Sequence, residues 1–252
     1  MNYIVVRHSP DWLNFDPEES RAFLLSCGLP ETLIIDYVAI WDAHLAIPFR
    51  EFRHRLKIIS LENFANVTSA TMVHQSDFDL HAIPDDAYVA FSDDDDLYHP
   101  AVFDCCATYG PAHDGYLWSS IFLAASLNRE IPLVHRENQA FVFTNNYAVS
   151  ARKLKEDGLP QYLEHLGANY ALETGGFKPT SVSEHLSLAN KMPASTVMAH
   201  SLMQSSDFRQ NPGAVFETIL GRVQAAEIDR HSSQWLAEPL NAYKELARSL
   251  LR

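Results

Sequence analysis

Four consecutive aspartates, Asp93–Asp96, follow the apolar run Tyr88–Phe91 after a single serine. The run has the character of a buried strand, and Pro100 is placed to open a helix shortly afterwards. Adjacent carboxylates repel one another unless a cation neutralises them or they splay into solvent. Because Mg²⁺ and Mn²⁺ prefer oxygen ligands, the aspartates predict a divalent-metal site that includes Asp95 and Asp96. The alternative is a solvated turn in which Asp96 caps the next helix.

Strand-like and helix-like segments alternate along the first hundred residues, and the middle of the chain is richer in strands. Apolar and β-branched runs predict strands at Tyr3–Arg7, Thr32–Ile40, Val67–Val73, Tyr88–Ser92, Gly115–Leu123, Pro132–His135, Gln139–Thr144, Ser181–Ala189 and Ala194–Ala199. Helical spacing and capping residues predict helices at Asp16–Gly28, Pro48–Ile59, Ala101–Tyr109, Ser150–Glu156, Leu159–Leu166, Pro212–Ala226 and Ser233–Leu250.

This alternation predicts an α/β fold in which helices flank a mixed central sheet. We expect a main domain over residues 1–205 and a C-terminal helical extension over residues 206–252 that packs on the same core. In the predicted helix Pro48–Ile59 four basic residues lie off the apolar positions: Arg50, Arg53, Arg55 and Lys57. The three arginines are expected on a solvated face, with a phosphate-binding patch as the alternative.

The charge balance excludes several classes of partner. With 19 Lys and Arg against 32 Asp and Glu, the formal net charge is −13, which repels nucleic acid and anionic lipid. The three cysteines, Cys27, Cys105 and Cys106, form neither a disulfide framework nor a zinc pattern. The sequence contains no apolar stretch long enough for a signal peptide or a transmembrane segment, so a cytoplasmic protein is expected.

The order of residues around the aspartates narrows the possible chemistry. An EF-hand is excluded because Tyr98 stands where its loop needs glycine. A phosphatase of the haloacid dehalogenase type, with Asp93 as nucleophile and Asp95 as acid, stays open, although that motif usually follows the first strand of its fold.

The segment Phe91–Pro100 resembles the metal-binding signature of the GT-A glycosyltransferases, especially those of family 2. In that family a strand ends in Asp-x-Asp-Asp, an apolar residue and a nearby proline. The resemblance implies that Asp93 contacts the donor ribose or a metal-bound water. It also implies that Asp95 and Asp96 hold Mn²⁺ or Mg²⁺ against the donor diphosphate.

Two later segments extend this resemblance. The segment Phe141–Val149 is similar to a Thr-Asn-x-Gly-Tyr-Ala stretch of bacterial rhamnosyltransferases, with Asn146 in place of the glycine; it implies that Asn145 and Asn146 bind the acceptor. The segment Met192–His200 looks like the strand that brings a late histidine to the metal, which implies His200 as a further ligand.

Three further residue groups are candidates from their positions. Arg7 and His8 end the first strand, where an α/β sheet presents groups to a nucleotide, and Asp94 is a further candidate for donor binding. Glu173 precedes two glycines and is a candidate general base on a mobile turn. The alternatives are a solvated strand end and an ordinary loop.

Together these features predict a metal-dependent glycosyltransferase of the hexosyltransferase type. It would move a sugar from a nucleotide-diphosphate donor to a saccharide, glycan or other hydroxyl acceptor, with Mn²⁺ or Mg²⁺ as cofactor and no nucleic-acid partner. The alternatives are a metal-dependent phosphohydrolase that uses Asp93 and Asp95, and a non-catalytic carbohydrate-binding protein on a GT-A scaffold.

Overall fold

The structure is a computed structural model that describes residues 1–7, 46–123, 133–136, 142, 145–163, 165–190, 206, 210–226 and 234–251. The predicted helix Asp16–Gly28 and the predicted strands Thr32–Ile40 and Ala194–Ala199 lie outside these residues, and Gln139–Thr144 does so except for residue 142. Two predicted site residues, His8 and His200, also lie outside them.

The centre of the fold is a mixed β-sheet, as predicted. Its strands in the described residues are β1 (Tyr3–Arg7), β2 (Thr71–His74), β3 (Tyr88–Asp93), β4 (Leu97–Tyr98), β5 (Gly115–Leu123), β6 (Leu133–Arg136), β7 (Tyr147–Ser150) and β8 (Thr180–Asn190). They lie in the order β2-β1-β3-β7-β5-β8-β4, and β6 pairs with residues 120–123 of β5 in an antiparallel ladder. The pairs β1–β2, β1–β3 and β5–β8 are parallel, whereas β7 runs antiparallel to both of its neighbours.

Seven α-helices are described: α1 (Ala46–Ala65), α2 (Val102–Ala107), α3 (Ala151–Asp157), α4 (Pro160–Leu163), α5 (His165–Glu173), α6 (Pro212–Ala225) and α7 (Ala237–Leu250). Local signals explain several of their boundaries. The Ser150 hydroxyl accepts a hydrogen bond from the Lys153 amide and starts α3, and Asn211 caps α6 in front of Pro212.

Several predicted elements differ from the structure in their bounds, such as α1, which was predicted over Pro48–Ile59 and spans Ala46–Ala65. The strand predicted over Val67–Val73 begins only at Thr71, because the Val67 amide donates to the Phe64 carbonyl and closes a turn after α1. The helix predicted over Leu159–Leu166 is divided into α4 and α5.

The core lies on both faces of the sheet, because successive strand residues point to opposite sides. In β1, Ile4 and Val6 face a cluster that contains Phe64 of α1 and Phe103 of α2. Val5 faces the other side, where the buried residues of the helices are Ala151, Leu154, Tyr162, Ala168 and Ala171. Helices therefore cover both faces, as an α/β fold requires.

The C-terminal segment contacts the sheet and α1. Helix α7 packs on α1 and on α6. The Trp235 indole nitrogen donates to the carbonyl of His185 in β8 at 3.1 Å. The division of the chain at residue 205 stays a prediction.

None of the helices in the described ranges combines the length and the apolar character needed to cross a bilayer.

Two glycine-to-alanine substitutions should shift stability in opposite directions. Gly115 has φ +154°, and a Cβ atom there would overlap the carbonyl oxygen of Ala148 in the paired strand. We expect Gly115→Ala to lower the free energy of unfolding by about 3 kcal/mol. Gly221 lies exposed within α6 with open space around it, and Gly221→Ala should raise the free energy of unfolding by about 0.5–1 kcal/mol. Urea denaturation measures both, and equal losses would contradict the described β5–β7 pairing.

Candidate active site

The carboxyl ends of β1 and β3 lie side by side at one edge of the sheet. The two strands are parallel, and their register places Arg7 next to Asp93. The Arg7 guanidinium lies 3.0 Å from Asp93 Oδ1 and also donates a hydrogen bond to the Leu163 carbonyl at the end of α4. The structure thus brings together two residues that were predicted separately as strand-end candidates.

The next three aspartates form a buried turn, which we call the acidic turn (Asp94–Asp96). Their exposed fractions are 3%, 6% and 1%. The Asp96 amide donates to the Asp93 carbonyl, and the chain continues as β4 rather than directly as a helix. Helix α2 starts only at residue 102, with Ala101 as its N-cap. The alternative of a solvated turn with Asp96 as a helix cap is therefore wrong.

Helix α1 supplies a cation to the acidic turn. Lys57 Nζ lies 2.9 Å from Asp94 Oδ2, and the Asp94 side chain is almost fully buried. A buried carboxylate is costly unless it is paired, so this ion pair fixes the approach of α1 to the turn. In the sequence, Lys57 lies off the apolar positions of this helix, and its contact with the acidic turn was not predicted.

Strand β8 supplies hydrogen bonds from its last residue, Asn190. The Asn190 amide nitrogen donates to Asp96 Oδ1 at 3.0 Å. Its side-chain Nδ2 donates to the Asp95 carbonyl oxygen and, at 2.8 Å, to the Tyr243 hydroxyl of α7. Burial raises the pKa of the Tyr243 phenol, and the negative charges of Asp95 and Asp96 raise it further. Tyr243 is therefore a neutral phenol at physiological pH.

Asn190 and Tyr243 were not predicted as site residues. Asn190 has one signal in the sequence: it is a polar residue at the end of an apolar strand, as Asp93 is. Tyr243 has no such signal, because in the sequence it lies among the regularly spaced apolar residues of the predicted helix Ser233–Leu250.

A short strand secures the turn from the other side. The Tyr98 amide donates to Asn63 Oδ1 at 2.8 Å, and Asn63 Nδ2 donates to the Tyr98 carbonyl at 3.0 Å. The Tyr98 hydroxyl donates to the Phe91 carbonyl at 2.8 Å. Burial raises the pKa of Tyr98 well above its ordinary value, and the charge of Asp96 raises it further. The acidic turn is thus held between two strands, β3 and β4, that are themselves fixed.

Asn145 and Asn146, the predicted acceptor-binding residues, are fully buried within the sheet. Asn145 Oδ1 accepts hydrogen bonds from one serine hydroxyl of β5 and one of β8, each at 3.2 Å, and its Nδ2 donates to the Leu188 carbonyl. Asn146 Nδ2 donates to the Trp118 carbonyl at 3.1 Å. These contacts give both residues a role in joining strands, and their contact with an acceptor stays a prediction.

Glu173, the predicted general base, is exposed at the end of α5. In the loop that follows, the Lys178 amide donates to Asp114 Oδ2 at 2.8 Å, and Asp114 directly precedes β5. Because β7 pairs antiparallel with both β3 and β5, the amino ends of β3 and β5 share one edge of the sheet. Asp93 lies at the opposite edge. The fold therefore does not bring Glu173 to the acidic turn, and it gives no support to a general base at this position.

The acidic turn offers oxygen donors of the kind that Mg²⁺ and Mn²⁺ prefer. Within the described ranges, no three side chains of the His, Cys, Asp and Glu types are placed to hold a metal ion together. Mg²⁺ is commonly held by one or two protein carboxylates and completed by substrate phosphates. The adjacent carboxylates of Asp95 and Asp96 offer oxygen donors of this kind, and Asp93 and Asp94 form ion pairs with Arg7 and Lys57.

The Lys57–Asp94 ion pair should be important for stability. Lys57→Met keeps the aliphatic stem but leaves the buried Asp94 carboxylate without this cation. We expect a loss of about 3 kcal/mol in the free energy of unfolding at pH 7, measured by urea denaturation. Arg248→Met, which breaks the exposed pair with Glu245, is the matched control and should cost about 0.5 kcal/mol. Equal costs would contradict the burial of the pair.

No family model matches the chain. A search of curated proteins gave no match either. Among solved structures, the chain is similar to TarS of S. aureus. Residues 1–349 of TarS in complex with UDP-GlcNAc match at 15% identity and a TM-score of 0.37, over 99% of this chain and 74% of that one.

The same TarS fragment in complex with UDP matches at 14% identity and a TM-score of 0.34, over 99% and 73% of the two chains. A further TarS structure matches at 13% identity and a TM-score of 0.34, and the overlap spans 44% of its chain. Similarities of this extent establish neither a shared fold nor a shared activity.

Proposed function

We propose that this protein is a metal-dependent glycosyltransferase with a GT-A-like fold. It would transfer a hexose from a nucleotide-diphosphate donor to a saccharide, glycan or other hydroxyl acceptor. The observation that carries the proposal is the pairing of Arg7 with Asp93 at the carboxyl edge of the parallel strands, directly before the buried acidic turn. In open α/β sheets, ligands bind beyond the carboxyl ends of the strands.

The proposed roles follow from burial and charge. The Asp93 side chain is 37% exposed, so it is the carboxylate of the four that is open to a donor ribose. Arg7 orients Asp93 and adds a positive charge at the edge where the donor phosphates would lie. Asp94 is held by Lys57 and fixes the path of the turn.

Asp95 and Asp96 would hold Mn²⁺ or Mg²⁺. When bound, such an ion stabilises the charge that develops on the departing nucleoside diphosphate. The two carboxylates come from adjacent residues of a rigid, buried turn, so they need little reorganisation to bind. His8 for the donor and His200 for the ion, both outside the described residues, complete the proposal.

Calorimetry tests the proposal directly. UDP-GlcNAc and UDP, the compounds held in the TarS structures, are titrated together with GDP and dTDP, each with Mn²⁺ and with chelator. We expect at least one nucleotide to bind only in the presence of the metal. The absence of any metal-dependent nucleotide binding would overturn the proposal.

Two further results would identify the alternative functions. Burst phosphorylation of Asp93 with hydrolysis of phosphate monoesters would indicate a phosphohydrolase. Saccharide binding that is equal in wild type and in Asp95→Ala, with or without metal, would indicate a non-catalytic binding protein.

Asp95→Asn should change thermal stability in a ligand-dependent way. In saturating Mn²⁺ with the bound nucleotide, we expect a melting temperature about 5 °C or more below that of wild type, because stabilisation by a ligand follows its affinity for the native state. In chelator the same change should be neutral or mildly stabilising, since repulsion between carboxylates falls. Asp86→Asn, an exposed site at the opposite end of β3, is the control and should behave alike in both conditions. An equal shift of Asp95→Asn in both conditions would exclude a metal at the acidic turn.

A further inference from the structure

Asn190 is fixed against the acidic turn by all of its hydrogen-bond donors. It is 2% exposed. Its backbone amide donates to Asp96 Oδ1, and its Nδ2 donates to the Asp95 carbonyl and to the Tyr243 hydroxyl. The side chain therefore has a single defined orientation and lies between α7 and the turn.

The side-chain oxygen of Asn190 has no hydrogen-bond partner in the part of the chain that the structure describes, although it is buried. Rotating the amide by 180° would let the Tyr243 hydroxyl donate to this oxygen, but it would place the oxygen against the Asp95 carbonyl oxygen and remove the hydrogen bond that this carbonyl accepts. Buried polar atoms without partners are rare in native proteins, and each requires an explanation such as an ion or a water molecule.

The surroundings of this oxygen favour a cation. The Asn190 amide group donates to the Asp95 carbonyl oxygen, and the Asn190 backbone donates to the Asp96 carboxylate, so its neighbours in the turn are oxygen acceptors, which suit a cation better than an anion. An amide oxygen and two carboxylates together make a donor set of hard oxygen atoms, of the kind that Mg²⁺, Mn²⁺ and Ca²⁺ select. A buried water molecule is the competing explanation.

We propose that Asn190 Oδ1 is a third protein ligand of the divalent ion held by Asp95 and Asp96. The identity of that ion rests on the proposed function. Asn190 was not among the residues that the sequence resemblance implied, and it enters the site from β8, on the far side of the sheet path from β3. Its Nδ2 contact makes Tyr243 a positioning residue, which acts on the ion only through Asn190.

Binding of Mn²⁺ alone, measured by calorimetry and by the electron paramagnetic resonance of free Mn²⁺, tests this inference on the full chain. Asn190→Ala removes the oxygen and should weaken Mn²⁺ binding about tenfold or more. Asn190→Asp keeps an oxygen at the same position and adds negative charge, so it should bind Mn²⁺ at least as tightly as wild type. Tyr243→Phe loosens the same side chain but leaves its oxygen in place, so it should weaken Mn²⁺ binding less than Asn190→Ala does.

The outcomes separate a ligand from a structural residue. Wild-type affinity in Asn190→Ala would assign the oxygen to a water molecule and overturn the inference. Equal losses in Asn190→Ala and Tyr243→Phe would reduce Asn190 to a structural role, and would overturn it too. The inference would also be overturned if the wild-type protein binds no Mn²⁺. Melting temperatures in chelator show whether each variant is folded. If Asn190→Ala is not folded, the Mn²⁺ affinity of Asn190→Asp provides the test.

Failure of this inference is distinguishable from failure of the proposed function. If Asp95→Asn abolishes metal-dependent nucleotide binding and Asn190→Ala does not alter Mn²⁺ affinity, the transferase proposal stands without Asn190. If Mn²⁺ binding depends on Asn190 but no nucleotide binds in the presence of Mn²⁺, Asn190 is confirmed as a metal ligand and the transferase proposal is overturned.

Discussion

The burial of three consecutive carboxylates is the constraint on which the rest of this structure depends. Removing ionised groups from water is unfavourable by several kcal/mol for each group, unless cations or hydrogen-bond donors compensate. The chain compensates from separate elements: Lys57 from α1, Asn190 from β8 and, next to the turn, Arg7 from β1. The positions of these elements around the end of β3 follow from this requirement as much as from apolar packing.

Much of the sheet could be predicted because buried strands carry long apolar runs. Tyr3–Arg7 and Gly115–Leu123 are confirmed at the predicted bounds, and β8 extends its prediction by one residue at each end. The strands that were missed are the short ones. Strand β4 has two residues and exists because β8 and the Asn63 side chain pair with it, which is long-range information that no local pattern contains.

The candidate site also contains residues whose place could be predicted from the sequence and residues whose place could not. Arg7 and the aspartates could be predicted, because polar residues at the ends of parallel strands meet at one edge of a sheet. The ion pair of Lys57 could not be predicted, since Lys57 follows three arginines in the same helix and no local signal distinguishes it from them. The role of Glu173 stays a prediction, and its place in the fold could not be read from its glycine-rich turn, because only the antiparallel β7 puts that turn at the opposite edge from Asp93.

The contact between Asn190 and Tyr243 has a consequence for how the protein is made. The two residues are 53 positions apart, and Asn190 is itself 94 positions beyond its partner Asp96. At roughly 5–20 residues per second, a ribosome needs roughly 3–10 seconds to add the segment between Asn190 and Tyr243. For that interval the nascent chain holds an acidic turn whose last support has not been synthesised. The contact between Asn190 and Tyr243 can therefore form only after every described strand of the sheet has been synthesised.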